Sequence, residues 1–338
     1  MVGAADEGGA VTADHDPLVS EYLEEWLERR ATQLRPTTLH CYRQAVHSYL
    51  LPHLGDRHLS ELDRRMLEAV YAQLLASGGM RGKPLSPRTV QLAHAVLHRA
   101  LRDAQLDDLM DRNPAELART PKRDPYAIDV RTGLQVWTVQ QARRFLDLVE
   151  DHRWRALWHL ALGTGARRGE LLGLRWEDVN LEAGQVTIRR ALSIVDGVAR
   201  LLSTKTSQAR TLSIAPSVVD ALRRARSQQD QQFAEVADWG GKWDLVATTP
   251  TGRHLRPDRL TIEFRRLVRE FELPVIRLHD LRHTHASLLL EQGVSAKVVS
   301  ERLGHTTIAM TMDIYAHLLP AMDQDAAAKL EAAMYRSL

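Results

Sequence analysis

The sequence predicts a mainly α protein of two domains: an N-terminal bundle of four helices, then a larger mixed α/β domain that is mostly helical around a small antiparallel sheet. Three observations carry this expectation. Apolar residues recur at helical spacing through residues 18–101 and again through most of the chain beyond residue 137. An aperiodic stretch with two prolines and mixed charge, residues 121–136, interrupts the pattern and reads as a linker. Between Val186 and Ile214 the period shortens toward two, the spacing of half-buried strands. At 338 residues, two domains are also the default.

Residues 1–16 are rich in Gly, Ala and Asp, have no period, and read as a disordered acidic tail. Leu18, Tyr22, Trp26 and Leu27 share one face of a first helix. Pro36 followed by Thr37 and Thr38 opens a second, which runs through Tyr42 and Val46 to about Leu50, where Pro52 and Gly55 end it. Cys41 falls inside this helix and reads as a small packing residue. Glu61 to Ala76 makes a third helix, closed by Gly78-Gly79. Ser86-Pro87 starts the fourth, since a proline in the first turn gives up no hydrogen bond. Its apolar stripe is Val90, Ala93, Val96, Leu97 and Leu101. Short connections between four such helices predict a bundle over residues 17–120.

The second domain, residues 137–320, opens on Thr138-Val139-Gln140-Gln141, a capping box in which Thr and Gln each satisfy a backbone donor of the other. Phe145, Leu146 and Val149 continue that helix. Trp154 to Leu162 forms the next, ended by Gly163 and Gly165. Val186, Ile188, Leu192 and Ile194 then alternate. Asp196-Gly197 is a two-residue hairpin turn, and Leu201-Leu202 and Leu212-Ile214 supply further short strands. The expectation is a three-stranded antiparallel meander. Beyond Ser217 the pattern is helical; Pro320 interrupts it, and residues 321–338 form a last short amphipathic helix.

With 44% apolar and 26% charged residues, the composition is that of a soluble globular chain. No apolar run approaches the roughly 20 residues of a membrane span, and the N-terminus has no basic-then-apolar signal. A single cysteine excludes an intrachain disulfide and a multi-cysteine zinc site, so a reducing cytoplasm is expected. The net charge is +2, but residues 1–16 carry Asp6, Glu7, Asp14 and Asp16 without a Lys or Arg, which leaves +6 on the rest. That is too modest to announce a nucleic-acid partner by itself. Only six of the 45 basic residues are lysines. Arg is the better bidentate ligand for phosphate, although a GC-rich genome explains an arginine excess as well.

Several residues suit phosphate chemistry. Arg167 follows Thr164-Gly165-Ala166 and precedes Gly169-Glu170, a turn that delivers an arginine at a helix start, where anions are favoured. Glu170, three residues on, is spaced to hold its guanidinium. Lys205 lies in Ser203-Thr204-Lys205-Thr206-Ser207 between two expected strands, where a lysine is usually just solvated. His279 and Arg282 occupy neighbouring positions of one helical face and are able to donate to two oxygens of one phosphate; a solvated face competes. His305 follows Leu303-Gly304, the glycine ending a helix that Ser295 opens. Its plainer role is a charge partner of that helix end. Tyr315 sits among Ile308, Met312, Ile314 and Leu318 and on those neighbours alone is a half-buried core tyrosine. His279, His283 and His285 cluster, but they lack H-E-x-x-H order and a cysteine, so no metal site is expected.

The segments T-G-A-R-R-G-E at 164–170, L-H-D-L-R-H-T at 278–284, L-G-H-T-T at 303–307 and D-I-Y-A-H at 313–317 together resemble the core pattern of the tyrosine site-specific recombinases, the phage integrase family. The resemblance spans residues 18–320. It is softer over residues 18–120, where L-R-P-T-T-L-H-C-Y-R at 34–43 and L-S-P-R-T-V at 85–90 are similar to the DNA-facing helix starts of the family's core-binding domain. It implies a catalytic set of Arg167, Lys205, His279, Arg282, His305 and Tyr315. In the implied reaction the Tyr315 oxygen attacks a DNA phosphodiester and forms a 3′-phosphotyrosine. Arg167, Arg282 and His279 stabilise charge on phosphorus, His305 helps with the tyrosine proton or binds phosphate, and Lys205 protonates the leaving 5′ oxygen. The covalent bond stores the phosphodiester's energy and the cations neutralise charge, so neither ATP nor Mg²⁺ is implied and no cofactor is expected. No G-x-x-x-x-G-K-[ST] phosphate loop occurs. Arg35, Thr37, Arg43, Arg88 and Thr89 are implied contacts to the DNA backbone, with solvated helix ends as the even alternative.

The implied partners are double-stranded recombination sites, clamped between the two domains. A homotetramer is implied on two paired sites, with residues 321–338 docking on a neighbouring protomer. An accessory DNA-bending or directionality factor is a possible further partner; a membrane is not. The implied activity is integration or excision of a mobile element. The alternatives are dimer resolution, a type IB topoisomerase with a similar residue set, and a non-catalytic DNA-binding remnant. Many phage members carry a further N-terminal domain for arm-type sites. About seventeen residues precede the first expected helix here; either the enzyme does without that domain, as dimer-resolving members do, or the start has been lost, which leaves integration against dimer resolution open.

Overall fold

The computed structural model describes residues 16–121, 135–204, 209–236 and 240–315, with Leu330, Glu331 and Met334 near the end of the chain; of residues 310 and 313–315 it describes the backbone alone. The chain divides into two compact units, Met1–Ile128 and Asp129–Leu338. Most of the expected linker, residues 122–134, lies outside the described residues.

The first unit holds α1 (Val19–Ala31), α2 (Pro36–Ala45), α3 (Leu51–Leu54), α4 (Arg64–Ser77) and α5 (Pro87–Leu106). Caps set the starts. Asp63 accepts from the Met66 amide, so the third long helix begins at Arg64 rather than Glu61, after a 3₁₀ turn at Leu59–Glu61. Ser86 accepts from the Thr89 amide at the start of α5, and Pro36 and Pro87 sit in first turns. Pro52 does not end the second helix. Val46–Leu50 widens to a π-turn in which the Leu51 amide reaches back to Val46, and the chain stays helical to Leu54. The wide turn absorbs the register change that a proline without an N–H imposes. Cys41 is exposed, not packed. The buried positions of α2 are Leu39 and Ala45. Polar bonds tie α1 to α5 beneath the core: the Trp26 indole donates to Asp103 at 2.6 Å, the Tyr22 hydroxyl to the Ala100 carbonyl at 2.7 Å, and Arg30 pairs with Asp103.

The second unit opens with α6 (Val139–Leu148) behind the Thr138–Gln141 capping box, then α7 (Arg155–Thr164) and α8 (Arg168–Leu172). Five strands follow: β1 (Val179–Asn180), β2 (Gln185–Ile188), β3 (Arg190–Val195), β4 (Val198–Ser203) and β5 (Arg210–Ser213). Among the described residues, helices α9 (Pro216–Glu235), α10 (Pro257–Glu270), α11 (Asp280–Glu291), α12 (Ala296–Leu303) and α13 (Ile308–Tyr315) follow; the expected final helix over residues 321–338 lies almost wholly outside them.

The strands do not form the expected meander. β2 pairs with β1 and β5, while β3 and β4 make a separate hairpin closed at Asp196-Gly197. Only Arg189 separates β2 from β3, and one residue is too few to reverse a chain into a hairpin. The chain therefore switches sheets there, at a corner where Arg189 pairs with the buried Asp178 at 2.8 Å. In β3 the buried residues are Leu192 and Val195 rather than Leu192 and Ile194. A two-stranded ribbon twists too strongly to keep one flat inner face.

The core beneath the site is aromatic. Trp137, Phe145, Trp158 and Phe264 are fully buried, with contacting ring centroids 5.0 to 5.9 Å apart. Truncating any one of them costs roughly 3–5 kcal/mol at such sites. Trp137 also fixes α11: its amide donates to Thr284 at 3.1 Å and its indole to the Pro274 carbonyl at 2.9 Å. Ala286, Leu290, Val299 and Leu303 seal α11 to α12.

Candidate active site

Two helix ends make the floor of the site. Helix α7 stops at Gly165 with φ 63°, and α12 stops at Gly304 with φ 65°. Both are left-handed turns that glycine permits at little cost. A side chain at Gly165 would strike His285 and Leu303 at 2.7 Å, and one at Gly304 would meet the Arg210 guanidinium at 3.0 Å.

The last carbonyls of a helix lack internal donors and carry the negative end of its dipole. Here basic side chains take them. At the end of α7, the Leu162 carbonyl accepts from His285 Nδ1 at 2.7 Å, Gly163 from Arg302 at 3.1 Å and Gly165 from Arg282 at 2.8 Å. At the end of α12, three successive carbonyls each meet a different arginine. Arg302 accepts from Arg210 Nε at 2.9 Å, Leu303 from Arg282 at 2.7 Å and Gly304 from Arg167 at 3.4 Å. Arg282 is only 4% exposed. A charge that deep is tolerated because both ends of its guanidinium are hydrogen-bonded to helix-end carbonyls.

Arg167 caps α8, and Glu170 in the first turn accepts from both its amide and its guanidinium at 2.9 Å. On its other flank Glu170 accepts from Arg210 at 2.6 and 3.3 Å. Burial pushes the Glu170 carboxyl up, but the hydrogen bond and charge of Arg210, followed by those of Arg167, outweigh it and hold it below the usual carboxylate range.

His279 stands just before α11, and the Arg282 amide donates to its carbonyl at 3.1 Å, which keeps the two side by side. The His279 and His283 rings meet edge to face at 5.3 Å. His305 directly follows Gly304, and its Nδ1 lies 2.8 Å from Thr311 Oγ1. Burial, then the charges of Arg282 and Arg167, push His305 down to about 4. Burial also lowers His279, reinforced by Arg282, and brings His283 and His285 to about 4. Around neutral pH these rings are uncharged, each with one N–H to give and one lone pair to accept. In His285 the proton sits on Nδ1, because a carbonyl faces it, and Nε2 is buried with no partner among the described residues.

Arg167, Glu170, His279, Arg282 and His305, singled out from the sequence, thus gather around the ends of α7 and α12. Lys205 lies outside the described residues, between Thr204 and the start of β5. Tyr315 is the last residue of α13, which packs against α12; its side chain is likewise outside the description. Of the residues proposed for the first unit, Arg35 is exposed at the start of α2 and Arg88 is exposed in the first turn of α5, while Thr37, Arg43 and Thr89 are half-buried. Arg210 and Arg302 were not singled out. Arg210 lies in a segment with no glycine turn or spacing signal, Arg302 is an ordinary basic residue in the last turn of α12, and only the folded chain shows which carbonyls they reach. Among the described residues no group of three His, Cys, Asp or Glu side chains is placed to hold a metal ion.

The model of the phage integrase family matches residues 135–322, and that of the phage integrase N-terminal SAM-like domain matches residues 18–75. The chain is 25% identical over 332 residues to a tyrosine recombinase XerC-like protein of Caldanaerobacter subterraneus subsp. tengcongensis, a match covering 92% of this chain and 82% of that one. Among solved structures, the Tn1549 transposon integrase in complex with transposon right end DNA aligns with a TM-score of 0.74 at 20% identity, covering 94% of this chain and 100% of that one. A lambda integrase tetramer bound to a Holliday junction aligns with a TM-score of 0.63 at 19% identity, covering 89% and 78%. At these identities the two structures are likenesses of fold.

Proposed function

We propose, on the premise that the chain belongs to the phage integrase family, that its site carries out site-specific DNA recombination with the residues gathered at the two helix ends. The chain is a tyrosine recombinase, an enzyme that breaks and rejoins DNA strands. One observation supports the assignment of the site above the rest. Arg167, Arg282 and the uncharged His305 are anchored to the same helix end, one helix before Tyr315.

A free phenol has a pKa near 10, so only about 0.1% is ionised at neutral pH. In our reading the Tyr315 oxygen attacks phosphorus and loses its proton to His305, whose neutral ring has a lone pair to accept it. Arg167, Arg282 and His279 donate to the non-bridging oxygens as charge builds on them. The bond from phosphorus to the 5′ oxygen breaks, and Lys205 gives that oxygen a proton. A 3′-phosphotyrosine and a free 5′ hydroxyl result. Rejoining is the reverse step with a 5′ hydroxyl from another strand, and no energy source enters.

DNA is the partner in this reading, contacted in the first unit by Arg35, Thr37, Arg43, Arg88 and Thr89. Two duplexes have four strands to cut and each chain has one such tyrosine, so four protomers would act on two paired sites; the lambda integrase tetramer on a Holliday junction supports this. Residues 321–338 would dock on a neighbouring protomer. Movement of a mobile element is the favoured role, supported by the fold shared with the Tn1549 transposon integrase. Dimer resolution is the second reading. Among the described residues no helix is long and apolar enough to cross a membrane; the proposed place of action is the cytoplasm, on DNA.

The test is covalent capture. Full-length protein is incubated with a pool of nicked duplexes of randomised sequence, in which the short cleaved fragment diffuses away and rejoining fails. The expected result is a denaturation-resistant adduct that maps to Tyr315 and is lost in Tyr315→Phe, while duplex binding persists. An adduct that survives Tyr315→Phe refutes the assignment. Plasmid relaxation with no recombined product would point to a topoisomerase.

A further inference from the structure

We infer that Arg210 is a positioning residue of this site, one that neutralises Glu170 so that the charge of Arg167 is left for the phosphate, and that also fixes the end of α12 in front of His305. The inference rests on the recombinase reading above.

Arg210 is the first residue of β5, and its backbone is held by pairing with Ile188 of β2. Its side chain is 12% exposed and works in two directions. The guanidinium ends reach both oxygens of Glu170, at 2.6 and 3.3 Å, while Nε reaches the Arg302 carbonyl at 2.9 Å. Gly304 lets the helix end close on it, since a Cβ there would come within 3.3 Å of its Cδ and Cζ. Arg210 thus joins three parts of the site: α8, which carries Arg167; the turn that carries His305; and, through its own backbone, the strand that follows residues 205–208.

Charge supplies the reason for a second arginine on Glu170. The Glu170 side chain is 3% exposed, and a carboxylate that deep needs a cation. With Arg167 alone, the pair would neutralise each other and the site would lose a phosphate ligand. With Arg210 present the trio keeps a net positive charge, and Arg167, 33% exposed against 12% for Arg210, is the member turned to solvent.

The test uses the full chain and the nicked duplex captured from the pool. Single-turnover adduct formation is measured at saturating protein beside duplex affinity. Arg210→Met should slow cleavage about 100-fold, the scale of losing one donor to a developing anion, with affinity within threefold of wild type. Adding Glu170→Gln to Arg210→Met should restore cleavage at least tenfold, since it removes the carboxylate that then draws on Arg167 while its oxygen still accepts from the Arg167 amide. A purely structural arginine would show no such rescue. Should Arg210→Met fail to fold, Arg210→Lys carries the test: it keeps a cation beside Glu170 but lacks the second reach to Arg302, and should cleave three- to tenfold more slowly with unchanged affinity. Cleavage by Arg210→Met within threefold of wild type, a double variant slower than the single, or equal loss of binding and cleavage in Arg210→Lys overturns the positioning role alone. Absence of any adduct from the wild-type protein overturns the recombinase reading of the site, and the positioning role with it.

Discussion

At the scale of single residues, the arginines proposed as phosphate ligands also hold the two helix ends. Arg282 holds Gly165 and Leu303 with one guanidinium. Arg282→Ala leaves both buried carbonyls without that donor, so it should lower stability by roughly 2–4 kcal/mol and single-turnover cleavage by about 10²-fold or more. Denaturant unfolding and adduct formation measure the two effects. Cleavage within threefold of wild type would remove Arg282 from the site. The histidines make a second prediction. His283, His285 and His305 sit near 4 in the folded chain against an ordinary 6.5, in each case chiefly through burial. Between those values the unfolded chain binds protons that the folded chain refuses, so stability present above pH 6.5 is lost as pH falls toward 4. His285, the most buried of the three, should contribute on the order of 2–3 kcal/mol of that loss. Tm measured from pH 7 to 4.5 should therefore fall less steeply in His285→Asn than in wild type, and parallel curves would contradict the assignment.

At the scale of elements, the two helix ends matter more than any helix body. Gly165→Ala forces an L residue into a left-handed turn, at about 1–2 kcal/mol, and drives a methyl into His285 and Leu303 at 2.7 Å. A loss of about 2–4 kcal/mol is expected, together with slower cleavage, because the Gly165 carbonyl holds Arg282. Thr138→Ala is the contrast. It removes the cap of α6 and should cost about 1 kcal/mol with cleavage unchanged. Equal effects on cleavage in the two variants would mean that the α7 end has no special role.

At the scale of the whole molecule, each unit has its own core: one buried cluster lies within residues 19–118 and another within residues 137–281. Near the end of the chain Leu330 and Met334 are 61% and 62% exposed. These apolar side chains suit a partner surface, in keeping with the proposed docking on a neighbouring protomer. Deleting residues 321–338 should leave single-site DNA binding intact and weaken cooperative filling of two sites, read by gel-shift titration on one-site and two-site duplexes. Undiminished cooperativity would refute the docking.

Local chemistry alone determined much of this protein. The start of α5 follows from Ser86, the capping box of α6 from Thr138 and Gln141, and the stops of α7 and α12 from Gly165 and Gly304. These are interactions within one turn of chain, so spacing reveals them. Arg167 and Glu170 lie just beyond the α7 stop and His305 beside the α12 stop, but that they form one set with His279 and Arg282 came from the resemblance to the phage integrase family. What tertiary structure decided is pairing between distant segments. Nothing local says that β2 leaves β3 for β5, that Cys41 faces out while Leu39 faces in, or that Pro52 is carried through by a π-turn. Arg210 stands 40 residues from Glu170 and 92 from Arg302 in sequence. A hydrogen bond acts over about 3 Å, so such partners become visible only when folding brings two helix ends and a strand edge together.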